Sequence, residues 1–226
     1  MDISSFETEL GFSEKTRVIT PAQAVFQRIG GGDISKIERP DEPGVRIRDA
    51  RKKTGVLWHY DDCSILYEDP PDYKQALSRT MSLLEKINEV VPIGKIKLRQ
   101  LRIYWIRPVL NYDFKSLERK YRRCFTKESK IFETCYDSSV IMNMKIGDLD
   151  LHHQSGIMDI SQLQEDFRVF KMKEVASKVF IFLGTTVTSK DMVEYSRKNL
   201  ESFLLSSFEI CKNHSNEFEK IMEEVI

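Results

Sequence analysis

Between Lys95 and Lys127 the chain carries eleven lysines and arginines against two acids, Asp113 and Glu118, a local charge of +9. The whole chain is neutral, with 35 Lys plus Arg and 35 Asp plus Glu, so the remainder carries −9. Cations gathered this densely suit one chemistry above others, the binding of phosphate oxygens with release of condensed counterions. Read as a strand, KIKLRQLRIYWIRP sets Lys95, Lys97, Arg99 and Arg102 on the face opposite its apolar residues. Read as a helix, the next stretch sets Arg119, Lys120, Arg122 and Arg123 away from a stripe of Phe114, Leu117 and Tyr121. Tyr104 lies among these charges and has a ring that can stack on a base. The competing reading is a solvated strand and helix whose charges pair with the acidic remainder and discourage edge-to-edge aggregation.

Other constellations are weaker. In GDLDLHHQSG, residues Asp148, Asp150 and His152 alternate and would share one face of a strand. Two carboxylates and an imidazole suit a divalent metal and hydrolysis, although such residues also occur on any solvated hairpin. Glu128 and Lys130, with Asp113 upstream, match part of a metal-dependent nuclease motif but fall after a helix rather than on a strand. IGGGDISK lacks the spacing of a phosphate-binding loop. No Ser or Cys stands in a nucleophile elbow. His59 reads as a packed or surface imidazole. Cys63, Cys124, Cys135 and Cys211 form no C-x-x-C pair, which argues against a zinc site and a disulfide framework. Neither a metal nor a cofactor is expected.

The elements that must position these residues are mostly legible. Residues 4–12 suit a first strand, and Thr20-Pro21 a helix start before AQAVFQRI. Residues 33–54, rich in Pro, Gly and charge, suit a long surface loop. VLWHYDDCSILYE reads as a hairpin about Asp61-Asp62. Asp72 with Gln75 suits a capping box, ahead of Leu77, Met81, Leu84, Ile87 and Val91 at helical spacing; Pro92 stops that helix. In the basic strand the apolar phase slips once near Gln100. A bulge there would bring Ile96, Leu98, Leu101, Ile103 and Trp105 to one core face. Asp113 caps the basic helix, Val140–Ile146 alternates as a strand, and KVFIFLG is apolar throughout, as in a central strand. The last forty residues are helical in pattern, with Asp191 and Glu194 as candidate caps and KNHSNE polar enough to bend or split the helix. Trp58 and Trp105 read as core. The expected fold is one α+β domain over residues 1–226. It has a mostly antiparallel sheet, helices packed on one face and a long C-terminal helix.

GVLWHYDDCSILYED, DYKQALSRTMSLLEKINEVV, IKLRQLRIYWIRP, KVFIFLGTTVT and MVEYSRKNLESFLLSSF occur in an order that resembles a sporadically distributed family of uncharacterised prokaryotic proteins. The likeness spans residues 55–226 and implies a prokaryotic, cytoplasmic, accessory-type protein, with no activity or catalytic residue to carry over. No apolar run reaches the length of a membrane span, and the acidic MDISSFETEL lacks the layout of a signal peptide, so the cytoplasm is expected. The expected function is a non-catalytic subunit. Its basic strand and helix would face nucleic acid backbone or an acidic protein partner within a complex or homo-oligomer. The alternatives are a metal-dependent hydrolase using Asp148, Asp150 and His152, and a dimerisation protein using the C-terminal helix.

Overall fold

The structure, a computed structural model, describes residues 3–13, 24, 27–28, 33–38, 43–59, 61–126, 138–170 and 176–223. Ten strands form one sheet: β1 (Ile3–Phe12), β2 (Asp33–Glu38), β3 (Pro43–Asp49), β4 (Thr54–Trp58), β5 (Asp62–Glu68), β6 (Lys95–Val109), β7 (Ser139–Ile146), β8 (Leu149–Asp159), β9 (Val179–Ser189) and β10 (Val193–Glu194). Their order is β2-β3-β4-β5-β1-β6-β9-β8-β7, with β10 paired to β6. Every pairing is antiparallel. Four helices are described: α1 (Tyr73–Val90), α2 (Phe114–Phe125), α3 (Ile160–Asp166) and α4 (Arg197–Glu223). This is the α+β architecture expected, but residues 33–54 correct one boundary. Residues 33–38 and 43–49 are strands rather than loop, because β2 and β3 pair from Asp33↔Arg48 to Glu38↔Pro43 and β3 goes on to pair with β4.

Local chemistry explains most element ends. Asp72 accepts a hydrogen bond from the Gln75 N–H at 2.9 Å and starts α1, which ends at Val90 just before Pro92. Asp113 does the same for α2 through the Ser116 N–H at 3.0 Å. Asp159 and Gln162 form a reciprocal capping box at α3. The β7–β8 turn uses Gly147 at φ +60°, a conformation that glycine adopts without strain. Asp191 and Glu194 do not cap α4. Glu194 lies in β10, and the Ser196 hydroxyl accepts from the Asn199 N–H at the start of the helix. The polar run 212–217 does not interrupt α4, because Ser215 is buried and the exposed polar residues fall on its outer side.

The sheet has two unlike faces. One packs under α1, α2 and α4 in a single core that includes Phe6, Leu10, Leu101, Ile103, Trp105 and Leu183. Tyr73 of α1 stacks on Phe208 of α4 with ring centroids 3.9 Å apart. The other face is polar across its middle and is covered at one end by α3, where Ile106, Met158, Leu163, Phe180 and Phe182 form a second, smaller core.

The bulge in β6 exists, but not at Gln100. Gly11 pairs with Leu98 and Phe12 with Ile96, so Lys97 is the extra residue. The pairing of β6 with β9 runs without a break from Arg99↔Ser189 to Val109↔Val179. Ile96, Leu101, Ile103 and Trp105 therefore share the helix-covered face and are buried. Arg99, at the parity of Leu101, joins them, and Leu98 turns to the polar face. A side chain at Gly11 would bring its Cβ within 2.9 Å of Leu98 Cβ, so the strands approach closely beside the bulge.

Candidate anion-binding surface

The cations of β6 do not share one face, and each has an anionic or aromatic partner. Lys95 Nζ lies 3.8 Å from Glu194 and Lys97 Nζ 3.7 Å from Asp61. Arg102 points to the polar face, where its Nη1 meets Glu7 Oε2 at 3.2 Å and its Nε donates to Thr186 Oγ1 at 3.4 Å. Arg99 points the other way. Its guanidinium donates to Ser189 Oγ at 2.9 Å and stands 4.8 Å over the Phe203 ring of α4. Tyr104 is not presented for base stacking. It lies over Gly184, where an added Cβ would come within 2.5 Å of the ring, and Phe167 meets it edge-on at 5.1 Å. Burial raises its hydroxyl pKa.

Helix α2 is different. Leu117 and Tyr121 bury its inner side, and the Tyr121 hydroxyl shares a 2.8 Å hydrogen bond with Ser155 of β8. Burial, partly offset by that bond, pushes the tyrosine pKa up to about 12. Its one acid, Glu118, is 2% exposed and turned inward. Glu118 accepts from Ser138 Oγ at 2.7 Å and lies 3.5 Å from Arg122 Nε. The outer side keeps Lys115, Arg119, Lys120 and Arg123 exposed, with Arg122 half-buried behind them. Lys115, Arg119 and Arg123 follow one another at i, i+4 and i+8, so they form one stripe. Lys120 Nζ donates to Tyr112 Oη at 2.6 Å and rests over that ring. Asp113, at the helix N-cap, is exposed but engaged by Ser116, whose hydroxyl and N–H hold its carboxyl below the usual range. Lys115 is the member of the stripe that pattern reading passed over, although its spacing from Arg119 was the available signal.

The two halves of the expected basic surface thus do not converge. Strand cations are distributed to both faces of the sheet and to its margin, and the helix cations stand in a layer above β8.

Asp148, Asp150 and His152 do not converge either. Asp148 sits in the β7–β8 turn, Asp150 lies 3.2 Å from Lys190, and His152 Nδ1 is 2.8 Å from Asn143 Oδ1. Among the described residues no three His, Cys, Asp or Glu side chains are grouped to hold a metal. Glu128 and Lys130 lie outside the described residues. His59 is buried, with Nδ1 3.2 Å from Asp62. The apolar stripe of α4, including Leu200, Leu204, Phe208 and Phe218, packs on its own sheet. On the polar face, Arg46 and Arg48 of β3 line a small cleft of about 100 Å³ with Glu7, Ser64 and Leu66. Burial and the neighbouring Arg48 lower the Arg46 pKa.

The chain matches no protein-family model, and it matches no curated protein. Among the described residues no helix is long and apolar enough to cross a membrane.

Proposed function

We propose that this protein is a non-catalytic binding subunit and that the outer side of α2 holds the phosphate backbone of a nucleic acid. One observation carries the reading: all the charge α2 exposes is positive, because its only acid is buried beneath it. Like charges at i, i+4 on a helix repel by about 0.2–0.5 kcal/mol per pair. An anionic partner removes that cost and adds counterion release.

The geometry favours sequence-tolerant contact. Helix α2 is held against β8 through Leu117 and Tyr121, and the outer side left clear carries Lys and Arg but no Asn or Gln to read an adenine edge. Lysines and arginines of this kind supply the phosphate contacts that position a nucleic acid without reading its sequence. Strand β6 drops out of the surface, since Glu7, Asp61 and Glu194 already answer its cations. A place in a prokaryotic, cytoplasmic assembly is what the resemblance over residues 55–226 adds to this reading.

The test is fluorescence anisotropy of a labelled duplex at low salt with wild type and Lys115→Gln/Arg119→Gln. Wild type binds and the double variant binds weakly, with unchanged circular dichroism. If wild type binds an acidic peptide but no duplex or single strand, the partner is protein, and the nucleic-acid reading is wrong.

A further inference from the structure

Strand β7 is eight residues long and has no buried residue. Among the described residues it pairs with β8 alone, at the end of the strand order. Exposed large apolar side chains are concentrated there, with Ile141 57%, Met142 38% and Ile146 39% exposed. Edge strands usually carry several charges, a proline or a bulge that blocks further pairing. SVIMNMKI carries a single charge, Lys145, no proline, and an unbroken register with β8.

We infer that β7 is the interface with a second copy of this chain, joined edge to edge in antiparallel fashion about a two-fold axis through Asn143. The strand's own pattern argues for this occupant. A two-fold normal to the sheet keeps each face on its own side, so partners must have the same parity. With Asn143 on the axis, Met142 meets the partner's Met144 and Val140 meets the partner's Ile146, all on the helix-covered face. On the polar face Ile141 meets the partner's Lys145. Val140, Met142, Met144 and Ile146 then each meet an apolar partner, Ile141 lies along the aliphatic stem of Lys145, and no two like charges stand opposite.

The inference deepens the proposed function, on which its second consequence rests. Helix α2 lies over β8, tied there by Tyr121 and Ser155. The β8 strands of the two copies would be three strand spacings apart, about 14 Å. Two all-cationic helix surfaces would then stand side by side on one face, doubling the length of backbone held.

Light scattering on the full chain gives the test, with two variants at the same exposed position. Ile141→Lys sets like charges opposite Lys145 twice per dimer, and Ile141→Glu sets opposite charges there. Wild type and Ile141→Glu are expected to be dimers. Ile141→Lys is expected to dissociate about tenfold more readily, with its circular dichroism unchanged. A monomeric wild type at the highest soluble concentration overturns the inference, as does any result in which the two variants behave alike. Duplex titration separates the two claims. If the chain is a dimer that binds no nucleic acid, the proposed function fails and the interface stands. If it is a monomer that binds, the interface fails and the function stands. If both hold, Ile141→Lys shows about half the wild-type salt slope.

Discussion

His153 of β8 is the group whose titration should act most visibly on folding. Its ring is 2% exposed, with Nε2 3.1 Å from Ser155 Oγ, Phe218 of α4 edge-on at 5.7 Å and His214 of the same helix at 6.4 Å. Burial, followed by the charges of His214 and His152, lowers its pKa from 6.5 to about 4. The unfolded chain takes up this proton near pH 6.5, and the folded chain resists until about pH 4. The stability contributed by the neutral ring is complete above the unfolded pKa and is lost as pH falls through that window. At 1.36 kcal/mol per pKa unit, the loss is about 2 kcal/mol by pH 5 and about 3 kcal/mol by pH 4.

Two carboxylates act in the opposite sense. Glu68 is raised by burial, against hydrogen bonds from the Val169 and Phe170 N–H groups, and Glu9 is raised by burial and then by Asp62. Both bind protons more readily when folded, so their contribution to stability is full below their unfolded pKa and shrinks as pH rises. The His153 effect is isolated by comparison with His153→Gln, whose amide can bond Ser155 at any pH. Urea unfolding followed by the fluorescence of Trp58 and Trp105 supplies the measurement. The stability difference, wild type minus variant, should fall by about 2 kcal/mol between pH 7 and pH 5. Parallel pH profiles for the two proteins would refute the reasoning.

Leu98→Ala should cost about 1 kcal/mol or less and Leu101→Ala about 2–5 kcal/mol in urea unfolding, because Lys97 carries the bulge and turns Leu98 out of the core. Equal costs would put the bulge back at Gln100. Glu118→Ala strips Ser138 and Arg122 of a buried acceptor and should cost about 1–3 kcal/mol, while leaving the outer stripe of α2 in place. A neutral effect in the same assay would mean that water or another group already satisfies them.

Local rules carried much of the fold into the sequence. Asp72 and Asp113 cap helices because the signal lies within three residues, and β9 is central because its apolar run needs cover on both faces. The bulge was visible as a phase slip, but alternation has the same period on either side of it, so Lys97 and Gln100 fit the pattern about equally well. β2 and β3 were hidden by composition. Pro43, Gly44 and the charges read as loop, although Arg46, Ile47 and Arg48 alternate across the sheet. The partners of the β6 cations were illegible for a different reason. Glu7 and Glu194 each lie more than ninety residues from the cation they meet, and only the folded sheet sets them side by side.

The most direct measurement is the salt dependence of duplex binding for wild type and Lys115→Gln/Arg119→Gln, titrated at several salt concentrations. Three stripe contacts per chain, Lys115, Arg119 and Arg123, give a log–log slope of about −2.7 on duplex DNA for each chain engaged, so about −5.4 for a dimer that engages both helices, and removing two contacts per chain should flatten it to about a third of the wild-type value. A wild-type affinity that does not change with salt, or a slope that is unchanged in the double variant, would contradict a role for α2 as the anion-binding surface.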